Sequence, residues 1–127
     1  MITCYVRYVI DPKKVKEFEE YARMWIPLVE KFGGQHNGYF LPSEGANNIA
    51  LALFSFESLS AYEEYRLKSL NDPECIEAFE FADKVDCIIS YERSFSDLCS
   101  GREATYNKLL KRDSQRVAFS LCVGLGD

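Results

Sequence analysis

The sequence predicts an α+β domain with the element order β-α-β-β-α(α)-β. Three observations carry this reading. The runs 2–10, 35–41 and 48–56 have the β-branched, aromatic and alternating composition of strands. Val15, Phe18, Ala22, Trp25, Val29 and Phe32 recur at alternating spacings of three and four, the stripe of an amphipathic helix. The Asp-Pro pair that opens this helix at Asp11-Pro12 returns at Asp72-Pro73, so the second half of the domain repeats the first.

Taken in order, residues 2–10 (ITCYVRYVI) form the first strand. Ile2, Cys4, Val6, Tyr8 and Ile10 make a nearly all-apolar face that should meet the helices. Thr3, Tyr5, Arg7 and Val9 make a mixed face, as expected against another subunit or a wet cavity. Asp11 supplies a cap and Pro12 sits where a missing N–H costs nothing. Pro27 is expected to kink the helix by removing a bond and crowding the Arg23 carbonyl, and Gly33-Gly34 ends it.

The second strand alternates Gln35, Asn37, Tyr39 and Leu41 against His36, Gly38 and Phe40. Pro42 to Asn47 has turn chemistry, with Gly45 and Asn47 suited to positive φ. Residues 48–56 (NIALALFSF) are apolar on both faces, as a central strand should be, with Ala50 and Ala52 on the side of Phe54 and Phe56. Ser58 and Ser60 compete to cap the next helix, and Ser60 with Glu63 has the spacing of a capping box. In that helix Tyr62, Tyr65, Arg66 and Leu70 share parts of one face. After Asn71, the third helix should bury Cys75 or Ile76, Phe79 and Ala82. Residues 85–95 complete the sheet, with Cys87, Ile89 and Tyr91 opposite Ser90 and Glu92.

This order is the ferredoxin-like split β-α-β plan. Right-handed crossovers place the first strand between the third and fourth in an antiparallel sheet. Arg7 and Glu92 then become cross-strand neighbours, a pair contributing under about 1 kcal/mol if exposed. Residues 1–96 form one domain. Residues 97–127 change character: 103–112 read as a short basic helix and 117–125 as an apolar run broken by Gly124, together an appendage over an edge or a tail.

At 127 residues, with 47% hydrophobic and 28% charged residues, the chain has the composition of a single soluble domain. A net charge of −5 argues against nucleic-acid binding, which needs a basic face. No apolar run reaches the length of a membrane span, and the start lacks a secretory signal. Five cysteines without a C-x-x-C pair suit buried free thiols and a reducing compartment, so the cytoplasm is the expected location. One histidine and scattered cysteines supply no obvious metal set, and no phosphate-cradling loop or nucleophile elbow is present, so neither metal nor cofactor is expected.

The candidate residues are few. His36 is the natural acid–base group, since its ordinary pKa lies near neutrality. The plainer alternative is a strand histidine bonded to a neighbour. Tyr39, Tyr62 and Tyr65 suit an aromatic pocket with hydroxyls aimed at a ligand, or simply core and interface. Arg66 suits a carboxylate clamp, or an ion pair with Glu63 on a wet helix face. Trp25 is read as core. Pro27 and Gly38 are read as packing devices, Gly38 allowing close approach between layers.

The runs Gly33-Gly34-Gln35-His36-x-Gly38-Tyr39-Phe40, Glu44-Gly45-x-Asn47-Asn48-Ile49-Ala50, Tyr62-Glu63-x-Tyr65-Arg66, Asp72-Pro73-Glu74-Cys75 and Tyr91-Glu92-Arg93-Ser94-Phe95 together resemble the NIPSNAP family over roughly residues 2–96. The resemblance implies a dimeric α/β barrel, in which two ferredoxin-like subunits pack sheet against sheet. It implies no settled activity; wider relatives of the fold include cofactor-independent monooxygenases of small aromatic substrates. Two functional expectations follow. One is a small homodimeric binding or interaction module, open to a small-molecule ligand. The alternative is a cofactor-independent monooxygenase or isomerase of a small aromatic or carbonyl compound, with His36 as base and Tyr39, Tyr65 and Arg66 orienting substrate.

Overall fold

The computed structural model describes residues 1–97 and Cys99; the expected helix at 103–112 and the apolar run 117–125 lie outside the described residues. Met1–Ser96 form one compact unit. Its elements are β1 (Ile2–Ile10), a 3₁₀ turn (Pro12–Lys14) running into α1 (Val15–Lys31), β2 (Gln35–Phe40), β3 (Ile49–Phe56), α2 (Leu59–Ser69), α3 (Pro73–Val85) and β4 (Ile88–Asp97). The strand order is β2-β3-β1-β4, as the split β-α-β plan requires. β3 is antiparallel to both β1 and β2, with Thr3 opposite Ser55, Arg7 opposite Leu51 and Val9 opposite Ile49.

The helices cover one face of the sheet. Cys4, Val6, Tyr8 and Ile10 of β1 and Ala50, Ala52, Phe54 and Phe56 of β3 are buried beneath Phe18, Ala22, Trp25, Leu28 and Val29 of α1 and Tyr62 and Tyr65 of α2. The other face keeps Tyr5, Arg7, Val9, Ile49, Leu51 and Leu53 only partly covered. Arg7 and Glu92 meet there at 3.9 Å, the expected pair, both well exposed.

The caps explain where the helices start. Asp11 accepts the Lys13 N–H at 2.9 Å, and Asp72 accepts the Cys75 N–H at 3.1 Å. Ser58 wins over Ser60: its hydroxyl accepts the Ala61 N–H at 3.0 Å. α1 continues through Pro27, which is exposed. Lys31 near the end of α1 bonds Asp72 at 2.7 Å and Glu74 at 2.9 Å, tying it to the start of α3.

Four local readings change. The close approach between layers belongs to Gly34, not Gly38. A Cβ on Gly34 would sit 2.6 Å from the Phe56 ring and 2.8 Å from Val29, whereas one on Gly38 would meet only the Phe40 ring at 4.0 Å. Gly38 is needed instead for its φ of +120°. Asn47 is not at positive φ, though Gly45 is, at +95°. α3 runs on to Val85 and ends at Asp86, left-handed at φ 51°, so β4 begins three residues later than position 85. The buried stripe of α3 is Cys75 and Ala78, while Ile76 and Phe79 are more than a third exposed.

Candidate functional site

A β-bulge builds the first part of the site. In the β2–β3 ladder His36 faces Phe54, but Gly38 already faces Leu53, so one extra residue is inserted at Asn37. Simple alternation places Tyr39 opposite His36. The bulge brings them to the same face, where their rings stack at 4.7 Å. Tyr39 then lies beside Ala52, and Tyr8 beside Ala50. The two alanines leave room over the middle of the sheet for large rings. Tyr8 packs on Phe18 at 5.0 Å, on Tyr91 at 6.2 Å and on Tyr39 at 6.4 Å.

Over these rings opens a cavity of about 510 Å³ between sheet and helices. Its aromatic walls are Tyr8, Tyr21, Trp25, Tyr39, Tyr65, Phe79 and Tyr91. Trp25 packs edgewise on Tyr21 at 6.3 Å and on Phe79 at 5.1 Å. The polar lining is Arg66, Ser69, Asp83, Asp86 and Arg93. Burial pushes the Tyr21 phenol up to about 12 and also raises Tyr8, Tyr39 and Tyr65. At neutral pH these hydroxyls therefore stay protonated and can donate.

The structure brings Tyr39, Tyr65 and Arg66 together in this cavity, and it places Tyr62 and His36 elsewhere. Tyr62 lines an adjoining recess with Leu59, Leu67, Leu70 and Phe95, and Arg66 lies at the wall shared by the two. Arg66 does not turn to Glu63. It donates to the Tyr62 hydroxyl at 3.0 Å, four residues back along the helix. His36 is not among the cavity's lining residues. Its Nδ1 accepts the Gly38 N–H at 3.0 Å, which satisfies the bulge. Its Nε2 is buried without a partner. Burial lowers its pKa to about 4, so the ring is neutral at pH 7 and carries its proton on Nε2.

Sequence reasoning singled out neither Tyr8, Tyr21 and Tyr91 nor Arg93 as site residues. The signal existed for three of them. Tyr8 falls on the helix-facing side of β1, and Tyr91 and Arg93 share a face of β4 by simple alternation. The three cysteines of the core, Cys4, Cys75 and Cys87, are buried free thiols. Burial raises the first two to about 11, which leaves them unreactive at neutral pH. Cys122 lies outside the described residues. Among the described residues no helix is long and apolar enough to cross a membrane.

The family pattern of NIPSNAP proteins matches residues 5–100 of this sequence. The chain belongs to the NIPSNAP family. Solved relatives share the fold. A NIPSNAP family protein with unknown function from Agrobacterium tumefaciens aligns with a TM-score of 0.66 at 20% identity, covering 76% of this chain and 86% of that one. An uncharacterised NIPSNAP domain protein from Burkholderia xenovorans aligns at 0.63 and 18% identity, covering 77% and 94%. A putative antibiotic biosynthesis monooxygenase from Nitrosomonas europaea aligns at 0.61 and 10% identity, covering 77% and 98%. At these identities the likeness is one of fold, and the NIPSNAP membership brings no assigned reaction with it. No curated protein matches the chain.

Proposed function

We propose that this NIPSNAP protein is a homodimeric small-molecule-binding module whose ligand site is the cavity between sheet and helices. The observation that carries the reading is the cavity itself: about 510 Å³, walled by five tyrosines, a tryptophan and a phenylalanine, with two arginines in its lining. Apolar walls with a few polar groups are the usual make-up of a ligand site. Tyr39, Tyr65 and Arg66 are its contact residues on β2 and α2.

The dimer forms through the outer sheet face. Tyr5, Val9, Ile49, Leu51 and Leu53 are partly exposed there, and Phe40 is half exposed. Thr3, Ser55 and Asn37 complete the face with a hydrogen-bonded chain, 2.9 Å at each step. This mix suits an isologous interface. The buried free thiols support a reducing compartment, and we place the protein in the cytoplasm.

The oxygenase or isomerase reading assigned the base to His36. With Nδ1 committed to Gly38 and the ring outside the cavity, His36 favours binding without catalysis. The test is a thermal-shift screen with phenols, quinones, hydroxy acids and haem, on the native protein and on Ala82→Trp, which fills the cavity. A ligand at a hundredfold its Kd stabilises the folded state by about 2.7 kcal/mol. A hit lost in Ala82→Trp is expected. Ligands that shift both proteins equally, or no hit at all, overturn the cavity as the site.

A further inference from the structure

Taking the cavity as the ligand site, we infer that it selects a planar aromatic mono-anion, its carboxylate held by Arg66 and Arg93 and its ring stacked among the tyrosines. The first support is that these two guanidiniums have no acidic partner among the described residues. The other two arginines of the described residues, Arg7 and Arg23, are ion-paired, with Glu92 and Glu19 respectively. Arg66 is instead held by the neutral Tyr62 hydroxyl at 3.0 Å, and Arg93 lies 5.4 Å from the centre of the Tyr91 ring. Arg66 is thus positioned by a neutral hydroxyl, and Arg93 by the Tyr91 ring together with the Cys4 side chain. A guanidinium has five N–H donors in a planar fork, and Tyr62 takes only one of those on Arg66.

The second support is convergence. Arg66 comes from α2 and Arg93 from β4, yet both line the one cavity and the charges of both reach Cys4 on β1. The third is that the cavity has two unlike ends. Asp83 and Asp86 line it where α3 finishes, next to the far end of β1: the carbonyl of Cys87 accepts the Asp11 N–H at 2.9 Å. Cys4 and Asp11 are separated by roughly 20 Å of strand. A carboxylate is therefore favoured at the arginine end, and a second one is less favoured at the aspartate end, where the two acids outnumber the Lys14 ammonium bonded to the Val85 and Asp86 carbonyls. A ring with a single carboxylate suits this lining better than one with two, whose second charge points away from the arginines and toward the aspartates.

The experiment compares 4-hydroxybenzoate, its neutral isostere 4-hydroxybenzamide and the dianion terephthalate by calorimetric titration at pH 7.5. The full-length protein is used, with Arg66→Gln and Arg93→Gln beside it. In the native protein we expect 4-hydroxybenzoate to bind about tenfold or more tightly than either competitor. Each Arg→Gln change should weaken 4-hydroxybenzoate more than the amide and so shrink the preference between them. The comparison among ligands on the native protein stands even if a variant fails to fold. Equal affinity for carboxylate and amide overturns the anion preference while leaving the cavity as a ligand site. Terephthalate binding as tightly as 4-hydroxybenzoate overturns the two-ended polarity. Binding of none of the three, with neutral quinones or haem still shifting the melting point, also rejects this ligand class alone; silence from every compound rejects the cavity as a site.

Discussion

His36 shows how one side chain can look catalytic in sequence and serve the backbone in the fold. Its acceptor nitrogen closes the extra N–H of the bulge, and that bond requires the neutral ring. The folded-state pKa is lowered from 6.5 to about 4, so between these values the unfolded chain binds the proton and the folded one does not. Stability from this group is full above pH 6.5 and is lost as pH falls toward 4. His36→Asn keeps an acceptor near the same place and removes the titration. Urea midpoints measured from pH 7 to pH 4 should fall less steeply for this variant than for the native protein; parallel curves would refute the assignment. Gly34 makes a different demand. With Phe56 and Val29 already under 3 Å from where a Cβ would stand, Gly34→Ala must push α1 off β3. The expected loss is about 1–3 kcal/mol in chemical denaturation, and a change under 0.5 kcal/mol would show that the layers give way freely.

At the level of elements, α2 depends most on its cap. It has Leu59, Leu67 and Leu70 exposed and only Tyr62, Tyr65 and Ser69 buried, so little packing holds its ends. Ser58→Ala removes the acceptor for Ala61 and should cost about 1 kcal/mol, whereas Ser60→Ala should cost little. A larger effect at Ser60 would restore the capping box as the operative device. β1 and α1 were legible in the sequence because each follows a single period, and two of the helix starts carry Asp-Pro. Tyr39 was not legible as a neighbour of His36, since a bulge breaks the two-residue period without leaving a hydrophobic trace; only Asn37-Gly38 hints at it. The late start of β4 has a similar origin. Asp86 takes a left-handed conformation that stops α3, and nothing in its chemistry distinguishes it from an aspartate on a wet helix face.

For the whole molecule, the sheet divides the work: the covered face holds the cavity, and the open face holds the proposed partner contact. Light scattering should give about twice the 14.6 kDa chain mass. Leu53→Glu would put a charge opposite Tyr5 in the middle of that face. It should yield a monomer with the fold intact; an unchanged dimer would place the interface elsewhere. The pairing order was readable from crossover handedness, and the mixed outer face from alternation along β1. The cavity was not readable, because it arises where rings from three strands and three helices meet over two alanines, and no local pattern reports such a meeting.

Trp25 gives this architecture an optical consequence. It is the single tryptophan of the chain, and it stands in the cavity wall between Tyr21 and Phe79. Its indole emission therefore comes from one known place. A ligand that enters displaces water from beside the indole and changes its spectrum, while excitation absorbed by Tyr21 is passed to it across a ring separation of 6.3 Å. The protein carries its own reporter: occupancy can be followed by fluorescence with no label, and a quinone in the cavity should extinguish the signal.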